Sequence, residues 1–229
     1  MRALIVRFLD CEGPGILEPI LREKGYRISY HNAYDKRLTL MPEAHLNFSL
    51  IVLMGGPMSV ADESVDPMLS PYIELVQNVL NTNGRKLIGI CLGGQIIAKA
   101  LGARVNKGDK GPEVGFSQAK IVDKNDPIFS GIHEEEIQAF HLHEDLFSLP
   151  EGAKLLLAGD FYQNQMFSYK YKAFAFQTHI EPTLNMLNVW FEFHKDFISK
   201  GKGDFSNVSE KQQNMESSAK IIFRNILNI

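Results

Sequence analysis

Cysteine is scarce in this chain: among 229 residues only Cys11 and Cys91 occur. Two widely separated cysteines support neither a disulfide framework nor a zinc knuckle, and they suit a reducing cytoplasm. An excess of either charge is also missing. Lys and Arg number 24 against 27 Asp and Glu, a net charge of −3, so no global positive field recruits nucleic acid or anionic membrane. Long apolar runs are absent, and none approaches the roughly 20 residues that span a bilayer. The opening MRALIVRFLD is too short for a signal-peptide core and lacks a cleavage-site pattern, so it reads as a first strand. Internal repeats, low-complexity tracts, a P-loop and a dinucleotide fingerprint are lacking as well. What is present is an ordinary globular balance, 45% hydrophobic and 22% charged. A chain of this length buries a sizeable core without metals or disulfides to staple it.

The first half alternates strand and helix. Residues 3–8, 50–54 and 86–90 are short apolar runs, as expected of strands buried on both faces. Ile16, Leu17, Ile20 and Leu21 recur at helical spacing and Gly25 stops that helix. Residues 27–31 suit a second strand. Asp66-Pro67 opens a helical stretch through Leu80, and another helix runs over 93–101 to a Gly102 cap. This alternation predicts an α/β fold around an open, mostly parallel sheet flanked by helices. In the second half, strand-like segments at 114–122, 136–141, 154–158, 166–171 and 173–177 follow one another. They predict antiparallel ribbons added to the sheet's edge. Helices are expected over 184–198 and, after the polar linker KGKGDFSNVSE, over 211–227. The expected organisation is one domain over 1–229, with 203–229 as a C-terminal helical appendage.

The most informative segment is Gly89-Ile90-Cys91-Leu92-Gly93, a G-x-C-x-G pattern at an expected strand-to-helix junction. This is a nucleophile elbow with sulfur in place of a hydroxyl. The tight turn holds the nucleophile in strained backbone geometry, glycines relieve crowding beside it, and the helix N-terminus favours a thiolate. The Leu92 N–H would then face an oxyanion. The competing reading makes Cys91 a small buried hydrophobe, and the pattern alone also fits other cysteine hydrolases. Gly55-Gly56-Pro57 ends another expected central strand, where sites gather in open sheets, and the Gly56 N–H can complete an oxyanion hole. A thiol nucleophile needs a base, and the base an orienting carboxylate. His179 and Glu181, two apart at an expected strand end, leave on the same side and can fill both roles.

With these three motifs in this order, the chain resembles the class I glutamine amidotransferases, the triad type of the GMP synthase amidotransferase domain and its stand-alone relatives. The likeness runs from the first strand to about Pro182. It implies a flavodoxin-like amidotransferase fold with Cys91 as nucleophile, His179 as base and then acid, and Glu181 as orienting partner. It also implies oxyanion donors at Gly56 and Leu92, substrate contacts from Gln95 and from the loop carrying His141 and His143, and no cofactor. Two departures stand out: Gly94 where the family often has histidine, and Ile180 where it often has proline.

His141-Leu142-His143-Glu144-Asp145 also resembles a metal-binding run, but the resemblance favours a substrate-pocket loop, and no metal is expected. Cys11, Glu12 and Gly13-Pro14-Gly15 either line the site's rim or form a plain loop. Three functions compete. The first is hydrolysis of the glutamine γ-amide, with ammonia passed to a synthetase partner and an unknown acceptor. The second is a stand-alone γ-glutamyl peptidase. The third is a silent binding protein, against which the intact residue set argues.

Overall fold

The computed structural model describes residues 1–40, 43–61 and 67–229. β1 (Arg2–Arg7) leads through a loop to α1 (Leu17–Glu23), and β2 (Arg27–Asn32) returns parallel to β1. A one-turn helix, α2 (Ala44–Asn47), precedes β3 (Leu50–Leu53), whose four residues are all buried. A tight turn at Pro67–Leu69 opens α3 (Ser70–Asn81). The expected helix start at Asp66 lies outside the described residues. β4 (Lys86–Ile90) and α4 (Leu92–Ala100) complete the alternating half.

Seven strands then follow without an intervening α-helix: β5 (Val105–Lys107), β6 (Glu113–Ile121), β7 (Glu136–His143), β8 (Asp145–Phe147), β9 (Lys154–Ala158), β10 (Asn164–Tyr169) and β11 (Ala173–Phe176). β5 and β8 pair with each other. The remaining strands join one nine-stranded sheet in the order β2-β1-β3-β4-β11-β10-β9-β6-β7. From β2 to β11 the pairing is parallel, and from β11 to β7 it is antiparallel. The expected ribbons therefore extend the central sheet instead of forming a separate layer.

Alternation along β1 divides the core. Ala3 and Ile5 face one cluster with Leu17, Leu187, Trp190 and Phe223, while Leu4 and Val6 face another with Tyr72, Val76 and Ile96. Helices thus cover both faces, which is why the parallel strands read as unbroken apolar runs. The single helix expected over 184–198 is two, α5 (Leu184–Phe193) and α6 (Lys195–Ile198). His194 leaves helical geometry between them (φ −100°, ψ 15°), with its ring against a buried glutamate. α7 (Val208–Asn228) starts before the expected residue 211, behind a left-handed Asn207. It buries Met215, Ala219, Ile222, Phe223 and Ile226 along one helical stripe. Among the described residues, no helix is long and apolar enough to cross a membrane.

Candidate active site

Parallel pairing sends the carboxyl ends of β1, β3, β4 and β11 to the same edge of the sheet, where ligands of open α/β sheets bind. Cys91 follows β4 there with φ 51° and ψ −108°, a conformation an L-residue holds only when its surroundings enforce it. They do so through hydrogen bonds. The Cys91 N–H donates to Phe176 O (2.8 Å), the Gly93 N–H to Met54 O (3.1 Å) and the Gln95 N–H to Cys91 O (2.9 Å). Packing adds to this, since a side chain on Gly93 would strike the carbonyl of Leu53, and one on Gly89 the carbonyl of Gly93. The glycines of the elbow are therefore steric necessities. Leu92 opens α4, so its N–H is among the helix's unpaired donors.

His179 does not sit directly at a strand end, as the spacing predicts. β11 stops at Phe176, and His179 is pinned to β7 instead. Its N–H donates to Phe140 O (2.8 Å), and its carbonyl accepts from the Phe140 N–H (2.9 Å). This short bridge keeps the extended geometry that puts His179 and Glu181 on one side. His179 Nδ1 lies 2.7 Å from Glu181 Oε1, and both side chains are buried. The Trp190 ring packs edge-on against the imidazole at 5.0 Å. Burial works against the imidazolium. The Glu181 carboxylate and hydrogen bonds to Cys91 and Glu181 outweigh it, holding His179 well above its ordinary value of 6.5. The Glu181 carbonyl is clamped by the Ile16 N–H at the start of α1 (2.8 Å).

A cavity of about 400 Å³ opens at Cys91, in front of the buried His179 and Glu181. Cys91, Gly56, Gln95 and His143 line it. Gln95 donates its amide to the Asp145 carbonyl (2.9 Å), which fixes the side chain at the wall. Gly56 lies close against Phe8, just past the end of β1, where an added side chain would collide with it. His141 is different: it is buried behind His143, its Nε2 is 2.8 Å from Ser117 Oγ, and it is not among the lining residues. Among the lining residues, the sequence does not mark His194, and it leaves Glu12 open between the site's rim and a plain loop. Glu12 follows β1 at the same carboxyl edge, is 4% exposed and lies 3.5 Å from His194 Nε2. Its place after the first strand is the signal that marks it. Cys11 beside it is poorly suited to act as a nucleophile, because burial, reinforced by Glu12, pushes its thiol up to about 11.

A family model described as Glutamine amidotransferase class-I matches residues 16–195, which span α1, the elbow, His179 and Glu181. The chain belongs to the class I glutamine amidotransferases. The amidotransferase is 35% identical over 153 residues to a glutamine-hydrolyzing GMP synthase subunit of Sulfolobus acidocaldarius, covering 66% of this chain and 76% of that one. It is 34% identical over 113 residues to gamma-glutamyl peptidase 4 of Arabidopsis thaliana, covering 47% of this chain and 45% of that protein. The crystal structure of a glutamine amidotransferase from Thermotoga maritima superposes with a TM-score of 0.86 at 30% identity, covering 100% of this chain and 99% of that one.

Proposed function

We propose that this amidotransferase hydrolyses the γ-amide of glutamine through a γ-glutamyl thioester on Cys91. The observation that carries the reading is the His179 imidazole, bonded through Nδ1 to Glu181 at 2.7 Å and interacting with Cys91. In that arrangement Glu181 selects the tautomer and stabilises the imidazolium, while His179 takes the Cys91 proton. The thiolate adds to the γ-carbonyl carbon, and the oxyanion is met by the Leu92 and Gly56 N–H groups, worth about 3 kcal/mol each. The C–N bond breaks as His179 returns the proton to the departing ammonia. Water deprotonated by His179 then cleaves the thioester, releasing glutamate and restoring the thiol. Gln95 and His143, both in the cavity wall, hold the glutamyl group, with His141 supporting from behind. These steps call for no cofactor. The chain acts as one amidotransferase domain with residues 203–229 as its appendage, in a reducing cytoplasm, and passes ammonia to a synthetase partner.

A second reading, γ-glutamyl peptide hydrolysis by the same three residues, is favoured by the peptidase relative and by a cavity within the usual range for small-molecule sites. Ammonia and glutamate release from glutamine, run beside a panel of γ-glutamyl peptides and beside Cys91→Ala, separates the two. Cys91-dependent glutamine hydrolysis supports the first. Strong peptide cleavage with feeble glutaminase activity moves the assignment to the second, and turnover independent of Cys91 removes both.

A further inference from the structure

Behind the pocket wall, the antiparallel half gathers a second set of reactive side chains. β6 and β7 pair with Glu113 opposite His143, and the two-residue pleat puts His141 on the same face as His143. All three side chains are buried. His143 Nε2 lies 3.1 Å and His141 Nδ1 3.5 Å from a single oxygen, Glu113 Oε2. One donor atom from each residue lies within 4.8 Å of the other two. Despite these distances, neither nitrogen is aligned for a hydrogen bond to a protein partner. Buried polar groups left so are costly unless something else satisfies them.

We propose that Glu113, His141 and His143 form a binding site for a divalent transition cation of the zinc class. Ligand atoms at 2.0–2.2 Å from a tetrahedral zinc ion stand about 3.3–3.6 Å from one another. The 3.5 Å separation falls inside that spacing and the 3.1 Å one just below it. All three atoms lie within 4.8 Å, so small side-chain shifts bring them onto one ion. Two imidazoles and one carboxylate favour zinc, cobalt or nickel over magnesium or calcium. The supporting contacts suit ligands. Ser117 Oγ engages Nε2 of His141 at 2.8 Å and leaves Nδ1 for the ion. Gln165 Nε2 donates to Glu113 Oε2 at 2.9 Å and to Tyr162 O at 3.0 Å, orienting the carboxylate while a lone pair stays open. His143 lines the cavity, so the ion enters from there and keeps its fourth position towards it. Cys91 Sγ lies 3.8 Å from the carbonyl of Leu142, between the two histidines, so a bound ion would brace the wall facing the thiol.

The test uses the full chain carrying Cys91→Ala, which removes the competing thiol. Zinc is titrated against a chromophoric chelator, and cobalt by its visible absorption. The expected result is one equivalent bound, with tetrahedral cobalt bands lacking thiolate charge transfer, and loss of stoichiometric binding on adding Glu113→Gln or His141→Asn. Absence of stoichiometric binding, or binding that survives both substitutions, overturns the site. Histidine ring resonances of the Cys91→Ala protein give a reading that needs no ligand variant to fold. Zinc-dependent shifts of His141 and His143 support the proposal, and a shift confined to His179 overturns it.

Discussion

The two halves of the sheet handle polarity in opposite ways. In the parallel half, the interior is hydrocarbon: β3 is buried throughout, and β4 is buried from Leu87 onward. Its polar chemistry lies beyond the strand ends, at Glu12, Gly56, Cys91 and Glu181. The antiparallel half instead buries polar groups within its strands, among them Glu113, Gln138, His141, His143, Gln165 and Ser168. The reason is connectivity. Crossover helices cover parallel strands on both faces and leave only the loops for function, whereas antiparallel ribbons can turn one face towards a pocket. The parallel half thus positions the Cys91 elbow, and the antiparallel half anchors His179 and supplies the wall of the cavity that carries His143.

The sharpest way to break this comparison is at the elbow. Cys91→Ala is expected to lower glutaminase or peptidase turnover by about 10⁴-fold or more while leaving stability within about 1 kcal/mol, because a small side chain is removed and the backbone bonds around it persist. Kinetics beside thermal unfolding checks this. Substantial residual turnover would place the chemistry away from the parallel edge.

Glu181→Gln should cost less, about 10²- to 10⁴-fold in kcat, since His179 stays but presents the wrong tautomer. It also has a signature in stability. The folded state holds His179 well above its ordinary 6.5, so the stability this contributes is fully present below pH 6.5 and is lost as pH rises through the raised value. Without the Glu181 carboxylate, the main influence raising His179 is gone. The unfolding-temperature gap between wild type and Glu181→Gln should therefore be widest at acid pH and narrow towards alkaline pH. A gap independent of pH would detach Glu181 from the charge on His179.

The same contrast explains what could be read from the residues. Strands covered on both faces leave continuous apolar runs, so β1, β3 and β4 are visible in the sequence. The elbow is visible because its glycines flank the cysteine at a strand-to-helix junction, although the contact that demands Gly93 comes from Leu53 on β3. Glu113 is not visible, because the β6–β7 register, not sequence proximity, brings it to His143. His194 is hidden by a helix break that periodicity over 184–198 does not reveal. His179 is legible as a partner for Glu181, yet its true anchor is Phe140, nearly forty residues earlier and in the other half of the fold.

That junction between halves can be tested at Gly94, where the family often has histidine. A side chain here would meet the backbone of Phe176 on β11, and the Phe176 carbonyl is the acceptor for the Cys91 N–H. Alanine in a helix interior normally gains up to about 1 kcal/mol over glycine. Overpacking against rigid backbone costs about 1–3 kcal/mol, so Gly94→Ala should be net destabilising. It should also depress kcat by displacing Cys91. Stabilisation in urea unfolding would show that β11 can yield, and that the elbow is not held from the antiparallel side.

The smallest expected effect concerns how α7 ties the halves together. On the parallel side it packs Phe223 against Phe176 and pairs Arg224 with Glu23 of α1. On the antiparallel side, Asn225 Nδ2 donates to the carbonyls of Ile128 (3.0 Å) and Ser130 (2.9 Å). The apolar stripe of α7 packs on both sides, against Phe176 and also against Ile128, Phe129 and Ile137, and the two Asn225 bonds are partly solvated additions on the antiparallel side. Each such bond nets about 1 kcal/mol when buried and less where water replaces the lost donor. Asn225→Ala should then cost about 1 kcal/mol in urea unfolding, with turnover unchanged, because neither carbonyl touches the pocket. A loss several times larger would mean that these two bonds, and not the apolar stripe, hold the appendage to the ribbon half.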